Sequence, residues 1–309
     1  MRTLLTIFLA LLLAACSGGA PRDTVVVIPP GASIAKAGEI LEKAGATSAT
    51  GFRNRARLFG SDAPIKPGEY EVKKGMGAGD ILRMMQEGRT VQRFVTVPEG
   101  MPSIMVWERL MAEPRLTGTV AVPAEGSVLP DTYAFTTGES RAAVVARMQA
   151  AMTRTFDALW AKRSPRTAAK DRNEAITLAS IVEKETGVAA ERRTVAGVYT
   201  NRLAIGMRLQ ADPTIIYPIT KGKPLGRRIL RSEIQAVNGY NTYAMAGLPK
   251  GPIANPGKAS IAAVLDPEPN EYLYFVAKGD GGHVFARTLS EHNANVQKWY
   301  ELRRDRGEM

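Results

Sequence analysis

The sequence predicts an α+β fold built from small antiparallel strand pairs and separate helices. A strand, two helices and a second strand follow one another between residues 24 and 73, which predicts a βααβ unit near the N-terminus. The C-terminal part predicts a β-hairpin between residues 272 and 287, followed by a final helix. No series of alternating strands and helices is present, so a parallel α/β sheet is not expected.

The elements of the βααβ unit have clear local signals. A strand at Val25–Ile28 ends in a Pro-Pro-Gly turn. Ser33 then caps a helix whose apolar positions recur at helical spacing, and Gly45 ends it. A second, basic helix is predicted over Thr50–Leu58, and a turn plus strand over Ile65–Val72.

The middle of the chain is less regular. A short helix over Ala78–Gln86 ends at Gly88, and a strand follows at Gln92–Val97. A helix with apolar positions between residues 104 and 110 comes next, and Gly126–Phe135 is predicted to be a loop. A long helix over Ser140–Ala161 is expected to expose a basic face, most simply as a solvated surface: Arg141, Arg147, Arg154, Lys162 and Arg163.

The length of 309 residues suggests about two domains, at roughly 150 residues each. We place a membrane anchor and linker at residues 1–22, the βααβ subdomain at 23–90, a connecting α+β segment at 91–165 and a second domain at 166–309. Dense polar residues between apolar runs make this last range the expected location of a functional site.

Composition restricts the chemistry. Cys16 is the single cysteine and His283 and His292 are the two histidines, so an internal disulfide and a Cys- or His-rich metal site are excluded. The remaining groups are carboxylates, hydroxyls, amides and backbone, and no metal or organic cofactor is expected. His292 follows Glu291 at the predicted start of the last helix, where a surface or capping role is the simplest interpretation.

The N-terminus predicts export to the cell envelope. An apolar run over Leu4–Ala15 has the length of a secretory segment and is too short to span a bilayer of ~30 Å. Leu13–Cys16 resembles the lipobox of bacterial lipoproteins; an uncleaved anchor and ordinary cleavage after Ala15 are the alternatives. For an exported chain, the net charge of +11 favours an anionic envelope polymer or a membrane surface as partner, and not nucleic acid.

A carboxylate at the edge of an apolar helix face is the best catalytic candidate. The helix predicted over Asn173–Gly187 carries Glu183 and Glu185, which point about 200° apart and cannot act as a pair. Glu185 ends the apolar stripe, where loss of solvent raises the pKa of a carboxyl group. The alternative is a structural salt bridge from Glu185 to Arg192 or Arg193.

Further polar residues lie in rigid loops and strands. Gln210 and Asp212 alternate with Leu209 and Ala211, as on a short strand with one polar side, and His283 is a candidate to face a cleft. Loops 239–243 and 247–257 are rich in Tyr, Asn and Pro, which suits sugar rings with apolar and hydroxyl-bearing sides. Taken singly, each loop is equally well a turn with a special backbone angle.

Six runs together resemble the endolytic murein transglycosylases, the YceG-like or MltG family, in family order: Ala179–Thr186, Asn201–Thr214, Tyr240–Tyr243, Gly247–Gly257, Tyr272–Ala277 and Gly281–Phe285. The N-terminal βααβ unit is similar to the family's LysM-like subdomain. Two departures are a short lipobox-like segment in place of a clear transmembrane helix, and Lys250 where a second proline is common.

The resemblance implies a lyase that cleaves the MurNAc–GlcNAc bond of nascent peptidoglycan strands, leaves a 1,6-anhydro end and terminates strand elongation. Its catalytic glutamate corresponds to Glu185. Candidates for holding the glycan or the oxocarbenium-like state are Gln210, Asp212, Asn241, Tyr243, Asn255 and His283. The implied location is the periplasmic face of the inner membrane, beside peptidoglycan synthases such as penicillin-binding proteins; Ser17 after the cysteine also permits outer-membrane sorting.

With one usable carboxyl expected, a lytic transglycosylase is favoured over a hydrolase, because hydrolases of this type normally use two carboxyls. A muramidase-like hydrolase and a non-catalytic, glycan-binding lipoprotein that scaffolds cell-wall synthesis remain the rival hypotheses. A solute-binding lipoprotein is disfavoured because the sequence lacks two comparable α/β lobes.

Overall fold

A computed structural model describes residues 19–59 and 63–308 of the chain. Within these residues the chain forms three two-stranded sheets and eleven α-helices, which confirms the predicted α+β class. No helix in these two ranges is long and apolar enough to cross a membrane. The predicted anchor and Cys16 lie outside the described residues.

The described chain divides into two units. The first contains the described residues up to Val95 together with Glu113–Gly118 and Ala134–Arg141. The second contains Thr96–Ala112, Thr119–Tyr133 and the described residues from Ala142 onward. The range 91–165, predicted to connect two domains, is therefore shared between the two units.

The first unit begins with the predicted βααβ order: β1 (Thr24–Ile28), α1 (Ile34–Lys43), α2 (Ala49–Phe59) and β2 (Gly68–Val72), followed by α3 (Ala78–Glu87). Strands β1 and β2 are antiparallel. Val26 and Ile28 are buried while Val25 and Val27 are exposed, because successive strand residues point to opposite faces. Ser33 caps α1 by accepting a hydrogen bond from the Lys36 N–H, as predicted.

The middle of the chain differs from prediction at two places. It contains β3 (Arg93–Thr96), α4 (Ser103–Ala112), β4 (Thr132–Phe135) and α5 (Arg141–Trp160). Strand β4 was predicted to be loop; its partner β3 is distant in sequence, so no local signal marks the pairing. The prediction that Arg141 is exposed is wrong, because its guanidinium is buried and donates to the Gly118 and Glu113 carbonyls.

The second unit is organised around one buried helix. Its remaining elements are α6 (Arg172–Glu185), α7 (Arg192–Ala204), α8 (Pro213–Thr220), α9 (Arg231–Gln235), α10 (Lys258–Leu265), β5 (Tyr274–Ala277), β6 (His283–Ala286) and α11 (Leu289–Asp305). All residues of α6 from Ala175 to Val182 are buried, so this helix has no solvent face over two turns. Helices α7 and α10 pack against it, and this core fixes the position of the last turn of α6.

Two helix ends differ from the predicted ones. Helix α6 ends at Glu185 and not at Gly187, because Thr186 is extended and its hydroxyl donates to the Val182 carbonyl. Gly187 does not adopt the positive φ of a helix-ending glycine. Helix α11 begins before His292, because Thr288 and Glu291 form a capping box. The C-terminal hairpin of β5 and β6 is antiparallel and confirms the prediction.

The first testable consequence concerns the N-terminus of α6, where the Asp171 carboxylate accepts a hydrogen bond from the Glu174 N–H at 2.8 Å. Asp171→Ala leaves that donor without its cap and should lower the free energy of unfolding by about 1 kcal/mol. Urea denaturation measures the change. Asp171→Ser, which restores a capping oxygen, should recover most of it; equal losses in both variants would show that the cap is not the cause.

Candidate functional site

A pocket of about 330 Å³ lies in the second unit at the C-terminal end of α6. Its walls combine two carboxylates, one guanidinium, an imidazole and several aromatic rings. The lining residues are Glu185, Tyr199, Arg202, Leu209, Gln210, Asp212, Tyr243, Tyr274, Phe275, Leu289 and His292. The structure thus brings four of the sequence-predicted residues together: Glu185, Gln210, Asp212 and Tyr243.

Glu185 is the last residue of α6 and has a strongly perturbed carboxyl group. Burial raises its pKa to about 7, the nearby Asp212 charge acts in the same direction, and Arg202 partly offsets both. The negative end of the helix dipole also disfavours a carboxylate at this position. Among the residues that the structure describes, none forms an ion pair or hydrogen bond with the Glu185 side chain. Near neutral pH this carboxyl can therefore either give or take a proton.

Glu183, two residues earlier, has the opposite environment. One of its carboxylate oxygens accepts a hydrogen bond from the Gly257 N–H at 2.8 Å, and the other lies 4.0 Å from the Arg192 guanidinium. Arg193 pairs with Asp266 instead. The alternative in which Glu185 forms the salt bridge with Arg192 or Arg193 is thus not what the structure shows. The first glutamate holds a loop, and the second faces the pocket.

Asp212 adds a second carboxylate to the pocket wall, next to the first turn of α8. The Tyr243 hydroxyl donates to it at 2.6 Å, and burial raises the pKa of this phenol. Gln210 is exposed and adopts a left-handed backbone with φ of 51°. The short strand predicted here is therefore wrong, although Leu209 and Ala211 are buried on either side as the alternation required. Backbone strain of this kind is common at functional sites.

Arg202 connects the pocket to its surroundings. Its guanidinium is buried and donates to the carbonyls of Leu273 and Leu209, each at 2.6 Å. It also lies 5.5 Å from the centre of the Tyr274 ring. Because these contacts join α7 to the loops on both sides of the pocket, Arg202 supports the cavity as well as lining it.

His292 is a pocket residue that the sequence analysis assigned to a surface or capping role. Its ring stacks on Tyr274 at 5.2 Å, and its Nδ1 is buried without a partner among the described residues. Burial, reinforced by Arg202, lowers the pKa of this imidazole, so it is neutral near pH 7. The contact joins α11 to β5 across 18 positions, and no local spacing indicates it.

Three predicted residues lie elsewhere. Asn241 is buried and donates to the carbonyls of residues 233, 234 and 236, while its Oδ1 accepts from the Tyr243 N–H. Asn255 is buried and bonds the Met101 carbonyl, the Ser103 hydroxyl and the Val128 N–H. His283 contacts Glu191 through Nδ1 at 2.8 Å. The structure therefore gives these side chains roles in supporting loops and strands outside the pocket.

Comparisons with known proteins agree on one family. A sequence profile described as the YceG-like family matches residues 26–298. An endolytic murein transglycosylase of Bacillus subtilis (strain 168) is 28% identical over 312 residues, spanning 90% of this chain and 85% of that protein. A protein of the same name from Streptococcus pneumoniae serotype 2 (strain D39 / NCTC 7466) is also 28% identical, spanning 88% of this chain but 57% of its own length. A yceG-like protein from Listeria monocytogenes, known from its crystal structure, superposes with a TM-score of 0.54 at 29% identity, covering 89% of this chain and 99% of that one.

The position of Asn255 predicts a stability effect. Asn255→Ala removes the acceptor of the buried Val128 N–H and the side-chain donor to the Met101 carbonyl, which keeps its bond from the backbone N–H of residue 255, so the free energy of unfolding should fall by about 2 kcal/mol. Chemical denaturation measures this, with the exposed Asn293→Ala on α11 as control. Unchanged stability together with a raised KM would contradict the structural role and favour glycan contact by Asn255.

The raised pKa of Glu185 also predicts a pH dependence of stability. Ionisation is penalised in the folded state, so the penalty is absent below the unfolded pKa of about 4.5, grows as pH rises, and is complete above about 7. Glu185→Gln should therefore gain stability relative to the wild type across this window, by at most about 3 kcal/mol. Thermal or urea unfolding at pH 4.5 and pH 8 gives the difference; a difference that does not change with pH would contradict the shift.

Proposed function

Because this chain belongs to the YceG-like family, we propose that it is an endolytic murein transglycosylase. It is a lyase that cleaves glycosidic bonds within the glycan strands of peptidoglycan. The two relatives with this name are similar along most of this chain, and the second unit supplies a pocket whose groups fit the reaction.

The observation that carries the proposal is the Glu185 carboxyl, which shares its pocket with Asp212 and has a pKa of about 7. Protonated Glu185 donates its proton to the glycosidic oxygen as the C1–O bond breaks. The resulting carboxylate then takes the proton of the sugar's own C6 hydroxyl, whose oxygen bonds to C1. Glu185 ends protonated again and no water is added. A pKa near the working pH suits both steps, and the intramolecular nucleophile removes the entropic cost of positioning a water.

Asp212 has a different part in this reaction. Its negative charge helps to keep the Glu185 proton in place and faces the region where positive charge develops on the sugar ring. The Tyr243 hydroxyl fixes its orientation. Two carboxyls in one pocket are also what a hydrolase uses, so the nature of the products decides between the lyase and a muramidase-like enzyme.

The glycan is held by the remaining walls of the pocket. Gln210 supplies an exposed amide, Tyr243 a phenol, and Tyr274 stacked with His292 an aromatic surface for the C–H side of a sugar ring. Asn241 acts on substrate only through the backbone of Tyr243.

The N-terminal part of the chain attaches the enzyme to its substrate and to the membrane. The βααβ order of β1, α1, α2 and β2 suits a LysM-like module that associates with peptidoglycan. Cys16 or the apolar run before it anchors the protein at the periplasmic face of the inner membrane, near the peptidoglycan synthases. The non-catalytic alternative, a glycan-binding lipoprotein that scaffolds synthesis, is disfavoured because such a protein has no need of a desolvated carboxyl in a pocket.

Product analysis tests the proposal. Purified glycan strands digested with the wild type should yield anhydro-ended fragments, each one water lighter in the mass spectrum than a hydrolysis product. Glu185→Gln should yield none above background. The matched control is Glu183→Gln, whose amide oxygen can still accept from the Gly257 N–H, and it should keep most of the activity.

Water-added ends from the wild type would replace the lyase by a hydrolase. Equal digestion by Glu185→Gln and the wild type would overturn the catalytic role of Glu185, and no digestion above background by either protein would favour the non-catalytic alternative.

A further inference from the structure

A second cavity, of about 490 Å³, lies beside the Glu185 pocket and has no part in the reaction described above. Its walls are mostly apolar and include Met101, Met105, Ile216 and Leu225. Neighbouring residues of the same two chain segments line the two cavities. Lys184 and Pro213 line the second cavity, and the adjacent Glu185 and Asp212 line the first. Consecutive residues of a helix point about 100° apart, so the cavities lie on adjacent sides of the last turn of α6.

Charged groups line the otherwise apolar walls. Lys184 is exposed and has no ion pair among the residues that the structure describes. Lys223 also lines the cavity, but its ammonium is paired with Glu108. Glu99 provides an exposed carboxylate. The cavity therefore offers one available cation and one anion above an apolar surface, and its size is within the range of small-ligand sites.

The reacting sugar suggests the occupant. In murein, a short peptide is attached through a lactyl group to C3 of the muramic ring, the same ring whose C1 is attacked. That peptide has small aliphatic side chains and free carboxylates. A glycan without its peptides has only the lactyl carboxylate of each muramic ring as a charge and is otherwise covered with hydroxyl and acetamido groups, which suit apolar walls poorly, and a lipid chain leaves Lys184 and Glu99 unmatched. Because the two cavities lie on adjacent sides of the last turn of α6, a peptide attached to a sugar ring beside Glu185 can extend around that turn into the second cavity.

We propose that this second cavity binds the stem peptide of the strand being cut, with Lys184 pairing to a peptide carboxylate and the apolar wall contacting the alanine methyl groups. The inference rests on the proposed function, because only a murein substrate has this peptide. It assigns the enzyme a preference for peptide-bearing glycan over bare glycan.

The test compares two substrates: uncross-linked glycan strands with their peptides, and the same strands after an amidase has removed them. For the full chain, kcat/KM for anhydro-product formation should be at least about tenfold higher on the peptide-bearing strands, the size expected for one charge-assisted hydrogen bond. Lys184→Glu should bring this ratio close to one. Leu225→Trp, which fills the cavity without changing charge, should do the same.

Lys162→Glu, at an exposed position two residues after the end of α5, is the matched charge control and should keep the wild-type ratio. Circular dichroism verifies that each variant is folded. The inference would be overturned by a wild-type ratio near one, or by a ratio that both Lys184→Glu and Leu225→Trp retain. A preference for lipid-linked over free strands that only Leu225→Trp removes would also overturn it, because the cavity would then bind a lipid chain.

Failure of the proposed function has a different signature. If the wild type cuts neither substrate, calorimetry with a synthetic lactyl-capped stem tripeptide and the full chain still decides the inference. Binding by the wild type that Lys184→Glu abolishes would support it, and no binding by the wild type would overturn it.

Discussion

The site depends on one carboxyl group that has lost most of its solvent without gaining a counter-charge. Glu185 is the last residue of a helix that is completely buried from Ala175 to Val182. The core therefore determines where its carboxyl lies, and the adjacent Asp212 and the helix dipole make ionisation unfavourable. A group poised in this way can act as an acid and then as a base within one turnover, which is what an intramolecular transglycosylation requires.

The neighbouring arginines do not neutralise Glu185, because other groups engage them. Arg192, a cation seven positions after Glu185, is engaged by Glu183, whose other oxygen accepts from the Gly257 N–H. Arg202 lines the pocket, yet two of its donors are committed to the carbonyls of Leu273 and Leu209. The protein thus uses one glutamate and two arginines as structural supports, and the second glutamate remains available for chemistry.

The sequence was informative wherever the signal was local. The caps at Ser33 and Gly88, the βααβ order and the C-terminal hairpin all follow from turn residues and periodicity, and the structure contains them. The apolar stripe of α6 also singled out Glu185. The structure differs where distant segments meet. Strand β4 pairs with a far strand, Arg141 bonds carbonyls of another segment, and His292 reaches the pocket from the last helix.

The chemical type of a polar side chain could not show whether it contacts the pocket or holds neighbouring backbone segments in place. Asn241 and Asn255 are chemically as suitable for sugar as Gln210, but the side chain of each is buried and bonds backbone groups of neighbouring segments, which for Asn255 include the buried Val128 N–H. The sequence predicted only one usable carboxyl in the site, because the fold alone brings Asp212 into the same pocket as Glu185.

The central claim is that the Glu185 carboxyl titrates near neutral pH because it is desolvated. The most direct measurement is a carbon-13 NMR titration of the side-chain carboxyl carbons in protein labelled at glutamate, with the Glu185 resonance assigned by its loss in Glu185→Gln. The account predicts a transition at about pH 7 for this group. A transition near pH 4.5, the ordinary value for glutamate, would contradict it.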